Sequence, residues 1–245
     1  MDTRINTLFF DHGSTLRMLT PDPDFQAKSA QNLLRLSGAD MTVDGFLELM
    51  VMNKKKLRAY QLEEVLELSE VELWQQFMLP DFPKDDIARK ARELTKLWRD
   101  YDGVRLERPG VSDTIKELDA RGYKLGIIAN TPSEYEVPDW LIESGLSKYF
   151  KTVILSSKVR IRKPDPAIYH LAARAIGSRP IECAYIGDNP SRDVDGTLDA
   201  GFGMALCIHE PKTLEKEPPT KENAASMIIR EITELLDIFP PLGGC

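Results

Sequence analysis

Five short apolar runs set what this chain can fold into: "NTLFFD" (6–11), "KLGIIAN" (124–130), "KTVILSS" (151–157), "CAYIGD" (183–188) and "GMALCI" (203–208). Each is about one strand long, and most lack polar alternation. A strand with one wet face alternates apolar and polar residues. A run that is apolar throughout suits a strand covered on both faces, as in a parallel sheet. Segments with helical spacing separate the runs. "GVSDTIKELDARG" ends at Gly122, "DPAIYHLAARAIG" at Gly177 and "SRDVDGTLDAG" at Gly201. A glycine after the last turn is a helix stop. Strand and helix repeated in this way predict an α/β fold, a doubly wound parallel sheet.

One region breaks the rhythm. From Leu19 to Asp102 no strand is expected, and the sequence is helix-like and rich in Leu, Glu and Lys. The chain therefore divides into a core of residues 1–18 and 103–245 and an inserted helical module of residues 19–102, with Pro21, Pro23, Gly103 and Pro109 marking the linkers. The tail "ENAASMIIREITELLDIF" reads as a final amphipathic helix. There are no internal repeats.

The formal net charge of −7 over 245 residues argues against nucleic acid or an anionic membrane as the main partner, since both require a basic face. Three widely spaced cysteines give neither a disulfide framework nor a metal-ligand spacing. Cys183 and Cys207 lie in apolar stretches and are expected in the core, and Cys245 at the surface. The start carries no signal-like apolar segment, and no run approaches membrane-spanning length, so a cytoplasmic protein is expected.

In an open parallel sheet, ligands bind at the carboxyl ends of the strands, near a switch in strand order. The polar residues that follow the apolar runs are therefore the site candidates. They are Asp11, then Asn130 and Thr131, then Lys163 in "RIRKPDP", then Asp188 and Asp193 in "IGDNPSRD". Taken singly, each has a plain reading as a loop cap or a solvated charge. Taken in order they make one chemistry. Asp11, Asp188 and Asp193 form an oxygen-rich set of the kind Mg²⁺ takes. Asp11 is then placed to attack phosphorus and form an aspartyl phosphate. Lys163 balances the carboxylates and holds the phosphate as a point charge. The expected partner is a small phosphorylated or otherwise anionic metabolite.

On these motifs the chain resembles the haloacid dehalogenase-like (HAD) hydrolases, in the branch whose helical cap is inserted after the first strand. "FFDHGSTL" is similar to the nucleophile loop, "LGIIANTP" to the second motif, "RKPDP" to the lysine motif and "YIGDNPSRDVDGTLDAG" to the acidic motif. The resemblance implies a Rossmann-like core, Mg²⁺ and, most often, phosphate-ester hydrolysis. It implies Asp11 as nucleophile, Lys163 as charge balancer and Asp188 and Asp193 as metal-site acids, with the Gly13 carbonyl as a further metal ligand.

Two positions depart from the family pattern. Gly13 stands where phosphatases of this kind carry a second aspartate, the acid that protonates the leaving oxygen and later activates water. Such general acid–base catalysis is worth about 10²–10⁴-fold. Ala129 stands where a Ser or Thr is usual. His12 is a poor stand-in, because alternation points it away from Asp11. A cap acid such as Asp22, Asp24, Asp40 or Asp44 could instead reach in. The cap run "NKKKLR" offers Lys54, Lys55 and Lys56 to an anionic substrate end, or to a Schiff base as in the related C–P bond hydrolases. Three readings stand at this point: a Mg²⁺-dependent phosphatase, a phosphonatase-like enzyme with a cap lysine, and a weakened phosphate- or partner-binding protein.

Overall fold

The computed structural model describes residues 5–64, 66–216, 218–220 and 224–243, so Cys245 lies outside the described residues. In chain order the elements are β1 (Thr7–Phe10), β2 (Arg17–Thr20), α1 (Pro23–Ser37), α2 (Val43–Glu64), α3 (Glu70–Leu73), α4 (Lys84–Tyr101), β3 (Val104–Glu107), α5 (Val111–Ala120), β4 (Lys124–Ala129) and α6 (Glu136–Glu143). They continue with β5 (Phe150–Leu155), α7 (Ser156–Val159), α8 (Pro166–Ala175), β6 (Cys183–Gly187), α9 (Asp195–Asp199), β7 (Met204–Ile208), α10 (Pro211–Lys216), β8 (Met227–Ile229) and α11 (Leu235–Ile238).

Six strands form one parallel sheet in the order β5-β4-β1-β6-β7-β8. All five apolar runs are in it. β1 is central, with Phe9 opposite Gly126 on one side and Tyr185 on the other. The strand order reverses at β1, which makes its carboxyl end the crevice where ligands bind in such sheets. Side chains alternate between two buried layers. Leu8 and Phe10 pack with Ile127, Ile186, Ile115 of α5 and Trp140 of α6. Phe9 packs on the opposite face with Ile128, Tyr185 and Tyr169 of α8. Leu8, Phe9 and Phe10 are wholly buried, each stabilising the fold by about 1.5–3 kcal/mol. This is why the runs carry no polar alternation. Cys183 and Cys207 are buried free thiols within these layers.

The segment between β2 and β3 is helical and has its own core, built from Leu33, Phe46, Leu73, Trp74, Ile87 and Trp98. Asp22 caps α1 by accepting from Phe25 N at 3.0 Å, with Pro23 in the first turn. Trp74 stands edge-on to Trp98, with centroids 6.0 Å apart, and donates its Nε1–H to Thr95 Oγ1 at 2.8 Å. Among the described residues no helix is long and apolar enough to cross a membrane.

Two elements differ from the sequence expectation. The linkers beside the helical insert are not loose: β2 and β3 pair antiparallel, with Leu19 opposite Arg105. Gly103 permits this approach, because at its φ of 133° a Cβ would lie 2.6 Å from Thr20 O. The tail is not one amphipathic helix. Met227–Ile229 forms β8, which pairs with β7 through Leu206 opposite Met227, and only the short α11 follows. β7 offers an unpaired edge, and the run Met-Ile-Ile satisfies it at the expense of local helical spacing.

Candidate active site

The loop after β1 is built to present Asp11. Asp11 N continues the ladder by donating to Ile186 O at 2.8 Å, so its side chain leaves the carboxyl end of the strand. The chain then turns tightly, with Leu16 N and Arg17 N both donating to His12 O at 3.0 Å and Ser14 at φ 58°. Arg108, just after β3, clamps this turn. Its N–H donates to Leu16 O at 2.9 Å, its Nε to Thr15 O at 3.0 Å and its Nη2 to Ser14 O.

Lys163 arrives from the loop before α8 and is 2% exposed. Its ammonium finds three acceptors: Asp193 Oδ1 at 2.7 Å, Asp11 Oδ1 at 3.0 Å and Tyr185 OH at 2.6 Å. Tyr185 in turn donates to Ile128 O at 3.0 Å. Such a full set of partners offsets the cost of burying the amine.

The acidic loop after β6 completes the site. Asp193 folds back over the strand end, and its Oδ2 accepts from Asp188 N at 3.1 Å and Asn189 N at 3.0 Å. Gly187 makes room for it, since a Cβ there would lie 2.4 Å from Asp193 Oδ2. Asp188 Oδ2 accepts from Thr213 Oγ1 at 2.7 Å.

Among the described residues, Asp11, Asp188 and Asp193 each offer a carboxylate oxygen within 4.8 Å of the others. Burial raises the pKa of Asp11, against the pull of Lys163, and Asp193 adds to the rise. Burial first, then Asp11 and Asp193, push Asp188 up to about 7. Lys163, with Arg192 acting from the cavity wall, does not neutralise three buried acids. A hard divalent cation would, so the donor set fits Mg²⁺.

The cavity above this cluster holds about 650 Å³ and is lined by Asp11, Gly13, Asn130, Thr131, Lys163 and Asp188. The structure thus brings the sequence candidates to one place. Asp193 lies just beneath, locked by Lys163. Asn130 and Thr131 spend polar atoms on the protein itself. Asn130 bonds the Lys163 main chain through both ends of its amide, and Thr131 N donates to Ser156 Oγ at 3.0 Å. No atom within 4 Å would meet a Cβ on Gly13.

His12 also borders the cavity, but it is buried against Trp140 with centroids 5.1 Å apart, and burial lowers its pKa to about 3. It is a weak base. Asp22, Asp24, Asp40 and Asp44 do not line this cavity. Glu210 does, a residue that sequence reasoning passed over; Arg108 Nη2 holds it at 3.1 Å. Tyr185, Thr213 and Arg108 were missed as well, and no local pattern marks them. Of the cap lysines, Lys54 sits 3.9 Å from Asp102 and 5.4 Å above the Trp98 ring. Lys54 and Lys55 line an adjoining cavity, and Lys56 is exposed. His170 and His209 are exposed.

Comparison with known proteins bears on the family and the fold. A glyceraldehyde 3-phosphate phosphatase from Methanopyrus kandleri is 33% identical over 136 residues, covering 55% of this chain and 57% of that protein. A phosphoglycolate phosphatase from Salmonella choleraesuis is 30% identical over 151 residues, covering 55% and 58%. The chain thus matches under three fifths of the length of these curated relatives. The crystal structure of a 2-haloacid dehalogenase from Pseudomonas syringae pv. Tomato superposes with a TM-score of 0.69 at 19% identity, covering 96% of this chain and 97% of that one. A HAD phosphatase from Thermococcus onnurineus superposes at 0.63 with 24% identity, covering 97% and 99%. These structural likenesses speak for the fold. A family model for haloacid dehalogenase-like hydrolase matches residues 6–201, and by that match, over most of its length, the chain belongs to the haloacid dehalogenase-like hydrolases.

Proposed function

We propose that this protein is a Mg²⁺-dependent phosphatase of a small phosphorylated metabolite. The observation that carries the reading is the Lys163 ammonium bridging Asp11 and Asp193 at the floor of the cavity, with Asp188 beside them. The phosphatases among its relatives support it. In this reading residues 19–102 form the cap and residues 1–18 with 103–245 the catalytic core.

Asp11, Asp188, Asp193 and the Gly13 carbonyl would hold Mg²⁺. Bound there, the metal supplies charge neutralisation to the phosphoryl oxygens. Asp11 attacks phosphorus, the new O–P bond forms as the ester O–P bond breaks, and the leaving alkoxide takes a proton from solvent water. Lys163 holds the negative charge of the transferring group and keeps Asp11 oriented. Water then attacks the aspartyl phosphate and restores the Asp11 carboxylate. Gly13 offers no acid or base for either proton transfer. Glu210, the one carboxylate lining the cavity outside the metal set among the described residues, takes the water-activating role.

The test follows the first turnovers of p-nitrophenyl phosphate with Mg²⁺ and with EDTA. The nitrophenolate leaves without a proton. Sustained Mg²⁺-dependent release, absent in Asp11→Asn, is the expected result. A burst of one equivalent followed by stalling would show attack by Asp11 without a water-activating group. No release from this ester, nor from phosphoglycolate or a short-chain bisphosphate, in either condition would overturn the reading.

A further inference from the structure

A second cavity of about 550 Å³ adjoins the catalytic one, and Asn130, Thr131 and Arg99 line both. Its charge is unbalanced. Lys55, Arg58 and Arg162 line it along with Arg99, against the acids Glu67 and Asp102. Asp102 lies 3.9 Å from Lys54, and Arg99 pairs outward with Glu136 at 3.0 Å. Among the described residues, Lys55 and Arg58 have no carboxylate within ion-pair distance.

Arg162 is the telling residue. It is 8% exposed, yet its Nη1 has no hydrogen-bond partner. The nearest carboxylate oxygen, Glu67 Oε2, is 3.8 Å away and already accepts from Ser156 Oγ at 3.0 Å. Glu67 Oε1 accepts from Gln61 Nε2 and Leu68 N. Glu67 therefore offers Arg162 a charge at 3.8 Å but no hydrogen bond to its Nη1. A desolvated guanidinium with an unused N–H is costly: burial lowers its pKa, the Glu67 charge offsets part of that, and a second cation, Arg58, presses it down again. An anion resolves both problems, because the planar guanidinium matches a carboxylate or phosphate in fork geometry. Trp98, Leu57 and Val51 give the same cavity an apolar wall for a short carbon chain.

We infer that this chamber receives a second anionic group of the substrate, held by Arg162 and Arg58. The preferred substrates are then phosphate monoesters whose leaving group carries a carboxylate or a second phosphate. The phosphoryl end sits at Asp11 and the other anion at Arg162, with the chain passing Asn130 and Thr131. This rests on the phosphatase reading above, and it narrows the substrate class.

The test compares kcat/KM for monoesters of matched length. Phosphoglycolate is set against ethyl phosphate for the carboxylate arm, and propane-1,3-diol bisphosphate against propyl phosphate for the phosphate arm. The expected preference for the doubly anionic member is about 10–100-fold in at least one arm, and the larger ratio names the group. Arg162→Met should bring that ratio to near one through the KM of the doubly anionic substrate. Arg58→Met, at an exposed position, should lower it in a variant that folds. Hydrolysis of p-nitrophenyl phosphate with both ratios near one in the wild type would overturn the inference and leave the phosphatase reading standing. Should no ester be hydrolysed, the phosphatase reading fails, and calorimetric titration decides the chamber. Tighter binding of phosphoglycolate than of ethyl phosphate, lost in Arg162→Met, supports it; equal or absent binding overturns it.

Discussion

Asn130 and Lys163 are tied by reciprocal hydrogen bonds: Lys163 N donates to Asn130 Oδ1 at 2.8 Å, and Asn130 Nδ2 donates to Lys163 O at 2.9 Å. The end of β4 thereby fixes the loop that delivers the buried ammonium. Asn130→Ala should lower kcat about 10–100-fold while KM changes little, because the loss falls on positioning rather than on a substrate contact. Steady-state kinetics on the nitrophenyl ester would check this, and a wild-type kcat would show that the carboxylates alone hold Lys163.

Asp11→Asn should reduce turnover by at least about 10³-fold, since the nucleophile is removed. Its melting temperature should hold or rise, because one of three clustered buried acids is neutralised. Phosphate release and thermal unfolding, read together, separate this outcome from a simple loss of fold.

The space around Gly13 makes a restoring substitution possible. With no atom within 4 Å of a Cβ there, Gly13→Asp should fold normally and raise hydrolysis of alkyl phosphates, by up to about 10²–10⁴-fold. Glu210→Gln should slow the wild type and matter much less in Gly13→Asp. Equal slowing in both backgrounds would remove Glu210 from the water-activating role.

Asp188 gives a pH signature. Its pKa rises from 3.8 to about 7 on folding, so the folded protein keeps a proton that the unfolded chain has released. The stability this group lends is present below pH 3.8 and is lost as pH climbs to about 7. Melting curves in EDTA across that window should therefore flatten in Asp188→Asn. Mg²⁺ should stabilise the wild type most at and above neutral pH, where the carboxylates are ionised.

Glu136 behaves in the opposite sense. Burial works against its carboxylate, but Arg99 and then Arg105 outweigh that and hold its pKa down at about 2. Both guanidiniums lie 3.0 Å from it, where α4 and β3 meet α6. Its contribution is present above pH 4.5 and fades as pH falls towards about 2. Glu136→Gln should cost about 3 kcal/mol at neutral pH, since it removes the buried carboxylate between two guanidiniums and leaves both to share Asp102. Denaturant unfolding at pH 7 and at pH 3 would show a smaller difference at the lower pH.

Where the sequence reading succeeded, the signal was local. A strand covered on both faces must be apolar at successive positions, and all five such runs lie in the sheet. The alternation of strands with helices then placed Asp11, Asn130 and Asp188 at strand ends and Lys163 in the loop before a helix, and the structure lines one cavity with them. Where it failed, the cause lay far along the chain. The tail has helical spacing, yet Met227–Ile229 pairs with β7 because that edge is open. The stretches beside the insert look like linkers until Leu19 meets Arg105 across the ribbon.

The sequence by itself determined the sheet, the helical insertion and the acidic and lysine candidates, because periodicity and order are written locally. Only the tertiary structure decided what surrounds them. Tyr185 beneath Lys163, Arg108 on the Asp11 turn and the unsatisfied Arg162 beside the cavity all depend on contacts between distant segments. Burial and electrostatic crowding exist only once those segments meet, and no spacing rule along the chain encodes them.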